Sequence, residues 1–186
     1  MYGLVNKAME ELIVGRYGPE RWELIKQRAE VDADVFISNQ SYPDDVTYRL
    51  VSAASEILDL PAPRILQEFG EHWVLHTGRQ GYGNLLTAGG RSLAEFLHNL
   101  PDFHTRVAMI FPDLQPPHFT VTEVAPGRLR LQYRTHRAGL APFVIGLLYG
   151  LGELFHMPVE VAQTVQRGPG TQCDEFVITW NESLSA

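Results

Sequence analysis

The hydrophobic period of this chain changes at Pro116-Pro117. Before that point apolar residues return every three or four positions, as on one face of a helix. Leu4, Val5, Ala8, Met9, Leu12 and Ile13 make the first such stripe, which ends near Gly15 and Gly18. A second follows Pro19 with Trp22, Ile25 and Ala29, and a third runs through Val46, Leu50, Val51, Ala54, Ile57 and Leu58. Asp44 or Asp45 supplies the negative charge that a helix favours at its start. A fourth helix is entered through Pro61 or Pro63 and is predicted to close at Gly78, and one or two short ones lie in "GYGNLLTAGGRSLAEFLHNL". The last helix before the change, within "NLPDFHTRVAMIFPDLQPPHF", aligns Leu100, Phe103, Val107, Ile110 and Phe111.

After the prolines the pattern alternates, as in strands with two unlike faces. "HFTVTEV" and "RLRLQYRTHR" flank the turn signal Pro126-Gly127 and read as a hairpin. A long apolar helix follows, from about Ala141 to His156, and "PVEVAQTVQRG" and "CDEFVITW" close the chain as two more strands. Helices followed by strand–strand–helix–strand–strand predict an α+β fold: a helical N-terminal lobe, then a four-stranded antiparallel sheet with a helix packed on it. One domain over 1–186 is expected, with the helical lobe at 1–60 and the sheet-bearing lobe at 61–186.

Two clusters of polar residues carry chemistry. His104 falls in an apolar stripe, where an unpartnered ring nitrogen is costly. A histidine in that setting is more often a satisfied core residue than a ligand, but a neutral imidazole on a helix is also what an iron or haem centre takes as an axial ligand. The second cluster is "YRTHR". If it is a strand, Tyr133, Thr135 and Arg137 point to one face and present phenol, hydroxyl and guanidinium in a row, a set suited to carboxylate or phosphate. Alternation alone leaves open whether that face is buried or solvated. His72 and His76, four apart in "EHWVLH", share a helix face but have no evident third metal ligand, and both are expected to be exposed. "GRQGYG" and "TAGG" lack the flanking strand and the Lys-Ser or Lys-Thr of a phosphate loop. Cys173 sits in a predicted strand without a neighbouring base. No nucleophile elbow and no paired catalytic carboxylates stand out, so the chain does not read as an enzyme.

Composition narrows the partners. The 15 Lys and Arg against 22 Asp and Glu give a net charge of −7, and with no basic run this argues against nucleic acid. One cysteine excludes an internal disulfide and fits a reduced, cytoplasmic setting. The N-terminus is amphipathic rather than a signal peptide, and the longest apolar run is interrupted by Pro142, Gly146, Gly150 and Gly152, so no membrane insertion is expected.

In order along the chain, "MYGLVNKAMEELI", "NLPDFHTRVAMIFPDLQPPHF", "YRTHR" and "GLAPFVIGLLYGLGELF" resemble the haem nitric oxide/oxygen-binding (H-NOX) family, related to the haem domain of soluble guanylate cyclase. The likeness is nearest to its cyanobacterial type. The resemblance implies haem b (iron protoporphyrin IX) buried between the lobes, with His104 as the axial ligand of a five-coordinate ferrous iron. Leu100, Phe103 and Val107 would wall the cofactor. Tyr133, Thr135 and Arg137 would hold its propionates, with threonine where the family has serine. Pro117 would press on the porphyrin and bend it. Oxygen-binding members carry a tyrosine early on the helix after the propionate motif; the matching position here is Phe143. Trp73, with Val144 or Leu147 and with Leu4 or Val5, would complete a distal pocket without a phenol, so NO and CO would bind and O2 would be excluded. The family's signal is the release of the iron–histidine bond, and the expected reader is a separate histidine kinase or a cyclic-nucleotide or cyclic-dinucleotide enzyme. The rival from another class is a haem-free domain in which His104 is structural and the Tyr133–Arg137 face grips a peptide or a small carboxylate. A haem peroxidase is a further rival, but it would need distal acid–base groups in place of these aliphatic and aromatic ones.

Overall fold

The computed structural model describes residues 1–181. Helix α1 (Gly3–Tyr17) ends at Gly18, whose φ of 87° suits a residue without Cβ, and Pro19 then opens α2 (Pro19–Arg28), where its missing N–H costs nothing. Helix α3 (Asp44–Leu58) follows a loop, and α4 (Ala62–His72) starts directly after Pro61. The predicted stop at Gly78 does not occur. A wider π-helical turn over Trp73–Gly78 carries α4 into α5 (Arg79–Gly89) without a break. Gly78 stays helical, and a Cβ there would lie 3.1 Å from the carbonyl oxygen of Trp73. This glycine therefore serves close packing inside a helical run rather than a terminus.

Helix α6 (Leu93–His98) is capped by Ser92, whose hydroxyl accepts from the Glu95 N–H at 3.2 Å. Helix α7 (Leu100–Ile110) carries His104. After the proline segment come β1 (His118–Ala125), β2 (Arg128–Arg134), α8 (Ala141–Leu154), β3 (Val159–Val165) and β4 (Asp174–Trp180). They form one four-stranded sheet in the order β1-β2-β4-β3, and every neighbouring pair is antiparallel.

Two apolar clusters hold the molecule together. One joins α1 to α4 through Met9, Ile13, Trp22, Ile25, Leu50 and Phe69. The other packs α8, through Val144, Leu148 and Leu151, onto Leu129, Leu131, Phe176 and Ile178 of the sheet and onto Phe96 and Leu97 of α6. Helix α8 also crosses α4 at very close range. A Cβ on Gly146 would lie 2.0 Å from the Gln67 carbonyl oxygen, and one on Gly70 would lie 2.3 Å from that of Phe143. Two glycines facing each other's backbones let the helices approach so closely. Among the described residues no helix is long and apolar enough to cross a membrane.

Candidate functional site

Between the two clusters lies a cavity of about 300 Å³, at the small end of the range for small-molecule sites. Its wall is mostly apolar and draws on both halves of the chain: Leu4 and Val5 of α1, Trp73 of the π turn, Leu100, Phe103 and Val107 of α7, and Phe143, Val144 and Leu147 of α8. Pro117, His104, Tyr133, Thr135 and Arg137 line the same space. The residues singled out in the sequence as site residues thus all face one cavity.

His104 is fixed by its own helix. Its Nδ1 donates to the Leu100 carbonyl oxygen at 2.9 Å, which requires the proton on Nδ1 and leaves the Nε2 lone pair unprotonated. Burial pushes its pKa below the ordinary histidine value, against a smaller opposing effect of the Leu100 hydrogen bond, so the ring is neutral near pH 7. Aromatic rings box it in, with Phe119 centred 5.1 Å away and Phe103 5.6 Å away. Ile110, expected on the same face, lies outside and is 53% exposed. At 3.6 residues per turn it falls on the edge of the stripe. Phe111, beyond the helix end, turns inward and meets Tyr2 edge-on at 4.8 Å.

The polar end of the cavity departs from the strand geometry read in the sequence. Strand β2 stops at Arg134, so Tyr133 is on the strand while Thr135 and Arg137 lie in the bend after it. The buried face of β2 is the one bearing Leu129, Leu131 and Tyr133, which resolves what alternation left open. The bend carries the other two donors into the same cavity. The backbone N–H of Arg137 donates to Thr135 Oγ1 at 3.1 Å. Burial raises the Tyr133 phenol pKa, against smaller pulls from the Thr135 hydroxyl and Arg137, and keeps it a donor.

The Arg137 guanidinium, only 14% exposed, donates from Nε to Asp44 Oδ2 at 2.8 Å and from Nη1 to the Gln115 carbonyl at 3.0 Å. Asp44 also accepts from the N-terminal ammonium at 2.5 Å. Burial pushes the Asp44 carboxyl up, but the ammonium and Arg137 outweigh it and hold its pKa below the usual carboxylate value. In the sequence Asp44 read only as a favourable helix-start charge. Nothing in the pattern tied it to Arg137, 93 positions away. Phe119, Leu131, Leu148 and Leu151 also line the cavity and were missed. Leu131 could have been found from its two-residue spacing to Tyr133, and Leu148 and Leu151 from their helical spacing to Val144 and Leu147.

Other candidates fall elsewhere. His76 is exposed, but His72 is half-buried under it, the rings stacked 4.4 Å apart at 14°. His72 Nε2 is buried without a partner, and its pKa drops to about 4 through burial first, then His76 and Arg16. Among the described residues no three His, Cys, Asp or Glu side chains gather in a metal-binding group. The glycines of the two suspected phosphate loops belong to the end of the π-helical turn, to α5 and to the C-terminal cap of α5. Cys173 is half-exposed, one residue before β4 rather than inside it.

Comparison with known proteins gives one answer. Residues 2–163 match the sequence model of the "Haem-NO-binding" family. Soluble guanylate cyclase gcy-35 of Caenorhabditis elegans is 28% identical over 181 residues, which is 95% of this chain and 26% of that protein. Soluble guanylate cyclase gcy-37 of the same animal is 31% identical over 87% of this chain and 23% of its own. The chain therefore spans about a quarter of the length of these curated relatives. The Fe(II) unliganded H-NOX protein of K. algicida superposes with a TM-score of 0.87 at 26% identity, covering 99% of this chain and 98% of that one. An H-NOX protein from S. oneidensis in the Fe(II)NO state gives 0.87 at 17% identity, covering 97% of this chain and 99% of that one, a likeness of fold alone. The α+β architecture with its antiparallel sheet is thus the H-NOX fold, and the chain belongs to the haem-NO-binding family of haem-based gas sensors.

Proposed function

We propose that the cavity holds haem b, with His104 as the only protein ligand to its iron, and that the chain senses NO and CO. One observation carries this reading. A neutral imidazole, tied through Nδ1 to Leu100, shares an apolar cavity with Tyr133, Thr135 and Arg137 at the polar end. An apolar macrocycle with an iron centre and two carboxylate arms needs that combination. Bound haem would supply an iron able to take up a diatomic gas. Arg137 keeps one proton on Nη1 and one on Nη2 beyond the bonds it makes to Gln115 and Asp44, and these, with the Tyr133 and Thr135 hydroxyls, would grip the propionates. Pro117 lies in the same wall, where it would pack against the bound macrocycle.

The distal side is supplied by Leu4, Val5, Trp73, Phe143, Val144 and Leu147. Tyr2 reaches the cavity wall, and its hydroxyl is anchored by the Asp113 N–H, from which it accepts at 2.9 Å. Tyr149 lies over a separate groove with Glu71 and Glu153. At the position early on α8 where oxygen-binding members carry a tyrosine, Phe143 offers bound O2 no donor, and O2 needs one far more than NO or CO does. Freeing His104 would release α7 from the cofactor, and that movement would be read by a histidine kinase or by a cyclic-nucleotide or cyclic-dinucleotide enzyme. The guanylate cyclase names of the relatives favour a nucleotide cyclase among these.

The test is spectroscopic. Reduced protein should be red, with a five-coordinate Soret band that shifts with CO and with NO and does not convert to a stable complex in air. His104→Gly should lose haem unless imidazole is added. Full haem retention without imidazole would remove His104 as ligand, and a colourless wild type would return the cavity to the haem-free reading.

A further inference from the structure

The connection between β3 and β4 has a structural relation to the propionate end that lies outside the matched family segment, which ends at residue 163. Strand β4 runs antiparallel to β2 with Asp174 opposite Tyr133. The tip joining β3 to β4 must therefore arrive where β2 ends and the Thr135–Gly139 bend begins. That tip is stiff. Gly168 and Thr171 exchange backbone hydrogen bonds of 3.1 and 3.0 Å across Pro169 and Gly170, and Gly170 adopts φ 85°, a conformation costly for any residue with a Cβ. At its base the Asp174 carboxylate, on a residue 7% exposed, accepts from the Arg167 N–H at 2.9 Å and from the Gln163 side-chain amide at 3.0 Å. With its backbone pinned in this way, Arg167 extends its guanidinium to the bend and donates through Nη1 to the carbonyl oxygen of Thr135. On the other side, the Tyr48 hydroxyl of α3 donates to the Ala138 carbonyl at 2.9 Å.

We propose that Arg167, aimed by Asp174, is a positioning residue for the anion-gripping bend: by clamping the Thr135 carbonyl it sets how the Thr135 hydroxyl and the Arg137 guanidinium face the cofactor's carboxylates. The bend has no regular structure of its own, so its internal Arg137 N–H to Thr135 Oγ1 bond needs outside partners to hold one geometry. Arg167 also brings a second positive charge to this end of the cavity. The Tyr48 phenol, whose pKa is raised by burial and by Asp44, is drawn the other way by both Arg137 and Arg167, which places the two guanidiniums in one electrostatic neighbourhood. A cation there strengthens the hold on carboxylates, and the effect is screened by salt.

This rests on the haem reading of the cavity, and the test separates the two. Haem transfer from the ferric protein to excess apomyoglobin and the midpoint potential would be measured for wild type, Arg167→Met, Arg167→Lys and Arg137→Met, with the melting temperature of each haem-loaded protein alongside. Arg167→Met should lose haem about five-fold faster, the rate equivalent of one net hydrogen bond. Its potential should fall, because less positive charge compensates the propionates, and its melting temperature should stay near wild type. Arg167→Lys should restore most of both. Wild-type transfer rate and potential in Arg167→Met would overturn the proposal, and so would a loss that follows melting temperature and is not rescued by lysine. If Arg137→Met also leaves haem retention unchanged, the haem-site reading itself has failed.

Discussion

At the scale of single residues, the ionisable groups divide by what surrounds them. His104 and His72 are both pushed toward the neutral form by burial, but only His104 has a partner for one nitrogen and an apolar cavity for the other. His72 has neither, and its buried Nε2 is unsatisfied. Its pKa is about 4 in the folded chain against 6.5 as the ordinary value, so between those values the unfolded chain binds the proton that the folded chain refuses. Stability should therefore fall as pH drops from 6.5 toward 4 and should be unaffected by this group above that window. Melting curves of His72→Gln should show a shallower loss over that range than wild type; parallel curves would mean His72 titrates normally. Asp44 works in the other sense, since three cations converge on it: the N-terminal ammonium, Arg137 and, at 3.7 Å, His136 when protonated. Asp44→Asn should cost about 1 kcal/mol, because hydrogen bonds to a charged group are lost but the site is partly solvated. It should also loosen haem retention, because Arg137 loses the anchor that directs it.

At the scale of elements, the α4–α8 crossing is the tightest feature. Gly146 and Gly70 put backbone against backbone, and no side-chain motion can relieve a Cβ at 2.0 Å from a carbonyl oxygen. Gly146→Ala should separate the helices and lower stability by about 3 kcal/mol, the upper end of ordinary overpacking costs. Because Phe143, Val144 and Leu147 of α8 line the cavity, the same substitution should also broaden or shift the haem spectrum. Gly15→Ala, where a Cβ meets nothing within 4 Å, is the matched control and should be neutral or slightly stabilising. The π-helical turn belongs to this scale too. Its extra residue alters the register between α4 and α5, so that Trp73 lines the cavity while His72 and His76 stack on each other outside it.

At the scale of the whole molecule, the cavity is a joint between two cores. Val5, Trp73 and Phe143 pack against the α1–α4 cluster, and Leu100, Leu131 and Val144 belong to the sheet cluster. A group filling that space would bury apolar wall from both, and burial is worth roughly 25 cal/mol per Å² of apolar surface. Haem removal should consequently lower the melting temperature of the chain as one unit. Calorimetry of apo and haem-loaded protein checks this; equal melting temperatures would mean that the cavity does not need filling. The polar tie between the halves, Asp44 with Arg137, lies at the rim of the same joint. If Arg137 holds the cofactor as proposed, a change there would act directly on the contact that sets one half against the other.

Much of this was legible before any coordinates. The order of elements follows from the two hydrophobic periods and from Pro and Gly punctuation, because those are local properties of the backbone. His104, Tyr133, Thr135 and Arg137 drew attention because a histidine in an apolar stripe and a row of donors are chemically conspicuous at short range, whereas Pro117 and the haem-binding roles came from the family resemblance; all five line one cavity. What the sequence left open depended on partners far apart in the chain. Gly78 read as a stop because a glycine's local signal is the same whether it ends a helix or lets two backbones touch. The buried face of β2 needed α8 to cover it. Thr135 and Arg137 reach the cavity through a bend held by Asp44, Tyr48 and Arg167, each at least 32 positions from its contact. Periodicity reports which residues avoid water, and only the folded chain decides which of them meet.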